Sequence, residues 1–272
     1  MSTLKPIKIL LALTFGYTSL LAGQSWVLAN TPNVNSANPR NFSNNNVTAR
    51  NKQNSFAQPP LPSSEGRPGG RVRGGAKRGP CQLVETQLTA LVPFTQTAPT
   101  ETDVWGFTTQ AHPTFLFYVP YSKNAGYPTE FLLQDKEGNN IYQKAIALPE
   151  KPGIISVSLP PDAAALAVDQ QYRWFFTVEC DQKNPSPPIY VEGVIKRVQL
   201  EPATIQQLET GSPLEKLEIY AANGIWFDAA EILFQLRQKN PQNAAIENKW
   251  RNLLTSISLD DIIAKPVISA KP

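Results

Sequence analysis

A single His, two Cys and a single Met stand among the 272 residues. Three thiol or imidazole ligands cannot complete a zinc finger, an iron–sulfur cluster held by four thiolates or a multi-histidine centre. His112 is the one imidazole available to a serine or cysteine nucleophile, and no Gly-x-Ser-x-Gly elbow accompanies it. It stands in Ala111-His112-Pro113-Thr114, just ahead of an expected strand, where a structural or surface role is expected. Charged residues are sparse, 17% of the chain, where about 25% is ordinary. No Gly-rich loop follows a strand to cradle phosphate, and Asp135, Glu137, Asp260 and Asp261 lack calcium-loop spacing. The apolar stretch Ile9 to Ala22 is interrupted by Thr14, Gly16, Thr18 and Ser19. A membrane span takes about 18–20 apolar residues.

What charge there is lies unevenly. The net charge is +3. Residues 30–80 carry eight Lys/Arg against Glu65, whereas residues 81–272 carry 15 Lys/Arg against 21 Asp/Glu. A basic arm thus precedes an acidic body, an asymmetry typical of interaction tails. Ahead of it, Lys5 and Lys8, the run Ile9 to Ala22, and Val27-Leu28-Ala29 follow one another. That is the order of a secretory signal peptide over residues 1–29, with cleavage expected after Ala29. A retained anchor is the alternative. The expected location is the periplasm, the medium or the cell surface. There, Cys81 and Cys180, 99 positions apart, are expected to pair as a disulfide.

Residues 30–80 have almost no apolar periodicity. Asn is frequent from Asn30 to Asn54, and Pro and Gly dominate from Pro59 to Pro80. Such a composition buries too little surface to offset ordering entropy, so a disordered arm is expected. Its Arg/Gly tract contains Arg67, Arg71, Arg73, Lys77 and Arg78. A solvated linker is the plain reading; attachment to an anionic envelope polymer or lipid surface is the functional one.

Residues 81–200 read as β-structure. In Tyr172 to Cys180, the residues Tyr172, Trp174, Phe176, Val178 and Cys180 alternate with Arg173, Thr177 and Glu179. Period two buries one face of a strand. Ile155, Val157 and Leu159 alternate likewise, and Thr114 to Val119 is a further apolar run. Phe131 to Gln134 and Ile141 to Leu148 flank the turn Asp135 to Asn140. Leu83 to Val92, Ile189 to Leu200 and a weaker Trp105 to Thr109 complete seven or so strands, the pattern of a β-sandwich. Leu166 to Tyr172 followed by Trp174 resembles the corner of immunoglobulin and fibronectin type III-like domains, which implies that Tyr172 bonds the preceding turn. Tyr118, Tyr121 and Tyr127 fall in or beside the segment around Pro120, Lys123 and Gly126. They are candidates for a sugar-stacking surface, or for simple loop anchoring.

Residues 201–265 change to helical period. Ser212-Pro213-Leu214-Glu215 is a capping box with Pro at the first helical position. Leu214, Leu217 and Ala221 form one stripe, Ala229, Ile232, Leu233 and Leu236 a second, and Ile246, Trp250, Leu253 and Ile257 a third. Tyr220, Gly224, Ala229, Leu236 and Pro241 resemble one tetratricopeptide unit, in which small residues let two helices approach. One unit forms no stacked groove, so packing on the sandwich or capping a partner is expected. Residues 266–272 are read as a tail.

Several further segments carry a resemblance to a whole family. They are Leu88 to Pro93, His112 to Tyr121, Gly153 to Pro160, Tyr172-Arg173-Trp174, Val191-Glu192-Gly193 and Tyr220 to Ala229. Together they resemble the cyanobacterial domain-of-unknown-function family 928 over residues 76–265. The resemblance implies an exported protein, often near surface-secretion and tetratricopeptide proteins, and transfers no catalytic residue. The fold expected is an immunoglobulin or fibronectin III-like β-sandwich followed by a small all-α tetratricopeptide-like segment. The function expected is a non-enzymatic interaction or scaffold module of the envelope. It would need no cofactor or metal and bind no nucleic acid, and its partner would be another envelope or surface protein. A carbohydrate or cell-wall binder using the loop tyrosines and a hydrolase using paired acids remain the alternatives.

Overall fold

The computed structural model describes residues 56–57, 68–75, 81–181 and 187–268. The expected signal segment and its cleavage point, with Arg67, Lys77 and Arg78, lie outside these residues. The described strands form two sheets. The smaller has the order β1 (Arg73–Gly74), β2 (Leu88–Ala90), β5 (Thr114–Val119), β8 (Gly153–Ser158). The larger has the order β3 (Phe94–Ala98), β4 (Glu101–Thr108), β10 (Ile189–Arg197), β9 (Gln171–Val178), β6 (Thr129–Gln134), β7 (Asn140–Ala145). All neighbours are antiparallel except β4 and β10, which run parallel.

The sheets face one another because alternate side chains are apolar. Tyr172, Trp174, Phe176 and Val178 of β9 are all buried. Across the gap, Phe117 of β5 stacks on Phe176 at 4.5 Å and meets Trp174 at 5.8 Å. Phe115 meets Phe131 of β6 at 4.8 Å. Such rings each contribute about 1.5–3 kcal/mol by leaving water. The expected corner hydrogen bond is present: the Ala167 N–H donates to the Tyr172 hydroxyl at 2.9 Å.

Two expected boundaries move. The sequence reading placed Arg71 and Arg73 in a disordered arm ending at residue 80. Instead, residues 70–74 run between the sheets. Arg71 exchanges both backbone hydrogen bonds with Glu192 at 2.9 Å, and the Ala90 N–H donates to the Val72 carbonyl at 2.9 Å. The glycines that suggested disorder serve close approach. A Cβ on Gly70 would stand 2.7 Å from the Glu192 carbonyl and 2.9 Å from Val104 Cβ. Arg71 lies over the Tyr190 ring at 4.6 Å, and Arg73 grips both carboxylate oxygens of Asp261 at 2.6 and 2.7 Å. Arg73 is thus committed to an ion pair, whereas the Arg71 side chain stays exposed. Gly70→Ala is expected to cost about 2 kcal/mol through overpacking, read as a lower urea midpoint. An unchanged midpoint would mean that this segment is not docked. The expected tail also contributes: Ile154 and residues 266–268 exchange backbone hydrogen bonds at 2.7 and 2.8 Å, covering the exposed edge of β8.

Four helices follow: α1 (Pro202–Thr210), α2 (Pro213–Ala222), α3 (Trp226–Lys239) and α4 (Ala244–Thr255). The expected capping box starts α2, with the Ser212 N–H donating to Glu215 Oε2 at 2.7 Å. Gly224, at a φ of 71°, makes the left-handed turn into α3. Helix α3 is anchored to the sheets at its start. Trp226 Nε1 donates to the Leu91 carbonyl at 2.7 Å, and the Phe227 ring meets Phe115 at 5.2 Å. Gly106 of β4 leaves room for both: a Cβ there would stand 2.9 Å from the Phe227 ring. Arg237 closes the helical end by donating to Glu247 at 2.6 Å and to the Lys265 carbonyl at 3.0 Å. None of the described helices is long and apolar enough to cross a membrane.

Candidate interaction site

The expected disulfide is present: Cys81 is bonded to Cys180. It joins the leg ahead of β2 to the end of β9. The three tyrosines serve this same corner. Tyr121 is buried and meets Tyr127 edge-on at 5.3 Å. The Tyr127 hydroxyl accepts the Gln82 N–H at 3.2 Å, beside Cys81. Tyr118 is buried beneath the Lys265 ammonium, 5.3 Å from its ring centre. Burial raises the phenol pKa values of both Tyr118 and Tyr121. Tyr118 and Tyr121 are buried and offer no exposed stacking face, whereas Tyr127 is half-buried and lines a cleft of 660 Å³ with Lys123, Glu130 and Glu150.

The expected acids are likewise structural. Asp135 accepts the Asn139 side-chain amide at 2.9 Å and the Asn139 and Glu137 N–H groups at 2.8 and 3.0 Å; these donors, the side-chain amide first, fix the β6–β7 turn and hold its carboxyl below the usual range. Asp260 accepts the Thr255 hydroxyl at 2.6 Å, and Asp261 holds Arg73. His112 lies with Nε2 3.1 Å from the Ala163 carbonyl. Among the described residues no group of three His, Cys, Asp or Glu side chains could hold a metal.

Two carboxylates are buried among the described residues, Asp103 and Asp228, and neither stands out from the sequence alone. Asp228, 3% exposed, lies on the inner face of α3. One oxygen accepts the Thr108 hydroxyl at 2.7 Å; the other accepts the Thr109 hydroxyl and, at 3.4 Å, the Gln110 amide. The Thr109 N–H is shared between the two oxygens, at 3.2 Å from the one that holds Thr108 and 3.3 Å from the other. Burial pushes its pKa up, against the pull of these donors. One turn on, Glu231 accepts the Thr114 hydroxyl at 2.9 Å, and burial and the nearby Asp228 raise its pKa as well. The pair therefore latches α3 to the end of β4 and the start of β5. The available signal was an acid inside the apolar run Ile225-Trp226-Phe227-Asp228-Ala229-Ala230.

Two further clefts lie on either side of α1. That helix was not singled out from the sequence, although Pro202 begins it and Gly211 follows it. None of its nine residues is buried. Helices shorter than about 12–15 residues are marginal without tertiary packing. On one side of α1 is a cleft of 530 Å³, walled by Val168, Leu200, Ile205, Leu208 and Tyr220, with Lys216 among its lining residues. On the other is a cleft of 580 Å³ that includes Gln207, Glu215, Glu218 and Ile219. Val168, Ile205 and Leu214 remain substantially exposed. Glu201, Glu209, Glu215 and Glu218 against Lys216 make residues 201–220 anionic.

Residues 73–267 match a family model described as Domain of Unknown Function (DUF928), and the chain belongs to that family. The match begins at the strand that carries Arg73 and ends in the segment paired with β8. No curated protein matches the chain, and no solved structure does.

Proposed function

We propose that this member of the DUF928 family is an exported, non-enzymatic interaction module, and that α1 with the clefts beside it is the surface that receives a protein partner. The observation that carries the reading is a nine-residue helix with no buried residue. A partner would supply the packing that α1 lacks. The anionic rim points to a basic amphipathic segment, since opposite charge steers and orients encounter. Export is supported by the Cys81–Cys180 bond, because disulfides persist in oxidising compartments.

The fold is read more finely in the same spirit. The order β4-β10-β9-β6-β7 facing β2-β5-β8, with the Tyr172 corner, is similar to an immunoglobulin-like sandwich. The pair α2–α3 is similar to one tetratricopeptide unit, with Tyr220 and Ala229 buried. Lys249 of α4 donates to Glu218 of α2 at 2.7 Å, as adjacent helices of a repeat would.

A photo-crosslinking residue in place of Gln207, which lines one of the clefts, compared with one at Lys136 in the β6–β7 turn, tests the site in an envelope fraction. The expected result is a discrete protein adduct at 207 only, lost when Ile205→Glu/Leu214→Glu is added at unchanged melting temperature and weakened by salt. Equal labelling at both positions, or an adduct insensitive to the double substitution, removes α1 as the docking surface.

A further inference from the structure

The corner between α2 and α3 holds a piece of the arm. The Phe56 ring stands edge-on to Trp226, with centroids 4.7 Å apart. The Ala57 N–H donates to the Ala221 carbonyl at 3.0 Å. Trp226 is fully buried, with Phe56 packed on it and its own N–H committed to Leu91. The acceptor is one of the last carbonyls of α2; it also takes the Gly224 N–H at 3.3 Å, and Ala57 uses its remaining lone pair. An apolar floor and an accessible carbonyl lone pair beside it recognise two things at once: an aromatic side chain, and the backbone N–H of the next residue.

Neither contact needs the arm to be covalently attached. The next residues are Gln58-Pro59-Pro60-Leu61-Pro62. Proline fixes φ near −65° and favours an extended, pre-organised chain, so a short segment of this composition loses little freedom on docking. We propose that the α2–α3 corner is a receptor site for linear peptides, that its ligand class is an extended segment with Phe followed by a small residue, and that Phe56-Ala57 is the resident ligand held in cis. The site extends the interaction role to a second surface, separate from α1, and its test uses no α1 variant. A tethered segment acts at an effective concentration near ~1 mM. A partner peptide therefore binds weakly while the arm is seated and better once the arm is released.

The experiment uses the full chain and a fluorescent synthetic peptide of residues 51–62, read by anisotropy. Phe56→Ala empties the aromatic seat of the arm. Ala57→Pro removes the donated N–H at an exposed position, and serves if Phe56→Ala does not fold. Saturable binding by either folded variant is expected, with at least about tenfold weaker binding by the wild-type chain through cis competition. A peptide carrying Ala in place of its Phe is expected not to bind. Absence of saturable binding to folded variants overturns the proposal, as does equal binding of the two peptides.

Discussion

Replacing Cys81 and Cys180 together by Ser lowers the unfolding free energy by about 4 kcal/mol, and reducing the wild-type protein does the same. The bond closes a loop of 99 positions. In the chain-entropy account a loop of that length removes on the order of 4–5 kcal/mol of freedom from the unfolded chain. The leg that carries Cys81 contributes little packing of its own: Leu83 is 85% exposed, and Gln82 is tied through Tyr127. A reduced native state regains some motion in that leg, which places the loss at the lower end. For a body of this size each kcal/mol moves the melting temperature by about 2–4 °C, so a fall of roughly 10–15 °C is expected. The denaturant slope should change in the direction of a more expanded unfolded state. Identical melting of the wild type before and after confirmed reduction would show that the bridge contributes nothing to stability.

Where the sequence was legible, one periodicity met one buried face. Strand β9 alternates cleanly because only its inner face meets the opposing sheet. Helix α2 begins at Ser212 because the capping box acts within four residues. The misreadings have a common physical source, since each depended on contacts distant in sequence. Gly70 and Gly74 looked like linker residues, yet each fits against backbone more than 100 positions away, at Glu192 and Tyr190. Strand β3, with only partly buried or exposed residues, has no apolar alternation to announce it. Tyr118 and Tyr121 looked like loop aromatics because the cover over them, Lys265 and Tyr127, is invisible locally. The same holds for the interaction surface. An amphipathic stripe reports which face is buried, and α1 buries none, so its pattern was silent.

Asp228 is the second residue whose loss should be felt throughout the fold. Asp228→Ala removes the acceptor for the Thr108 and Thr109 hydroxyls and the Thr109 N–H, leaving buried donors without a partner. Hydrogen bonds to a charged group contribute about 1.5–3 kcal/mol, and an orphaned buried donor costs about 1–3 kcal/mol. Because the threonine hydroxyls can rotate to other acceptors, the expected loss is about 3 kcal/mol rather than the sum. Asp228→Asn keeps the shape and one acceptor oxygen, so it should cost less. The two wild-type protonation states then separate by pH. Burial raises the native pKa of Asp228 above that of the unfolded chain. An acid shifted upward binds more protons when folded, so its contribution is fully present below the unfolded value, about 3.9, and is lost as pH rises through the native value. Glu231 faces the same region and also titrates high, through burial and the Asp228 charge; Asp228→Asn removes the second cause, so Glu231 titrates higher in the wild type and adds to the same trend. The wild-type advantage over Asp228→Asn in urea unfolding should therefore be largest near pH 4 and shrink toward neutrality. An advantage that grows with pH would mean that the four donors outweigh burial, that the ionised carboxylate is the favoured form, and that α3 is held to β4 by charge rather than in spite of it.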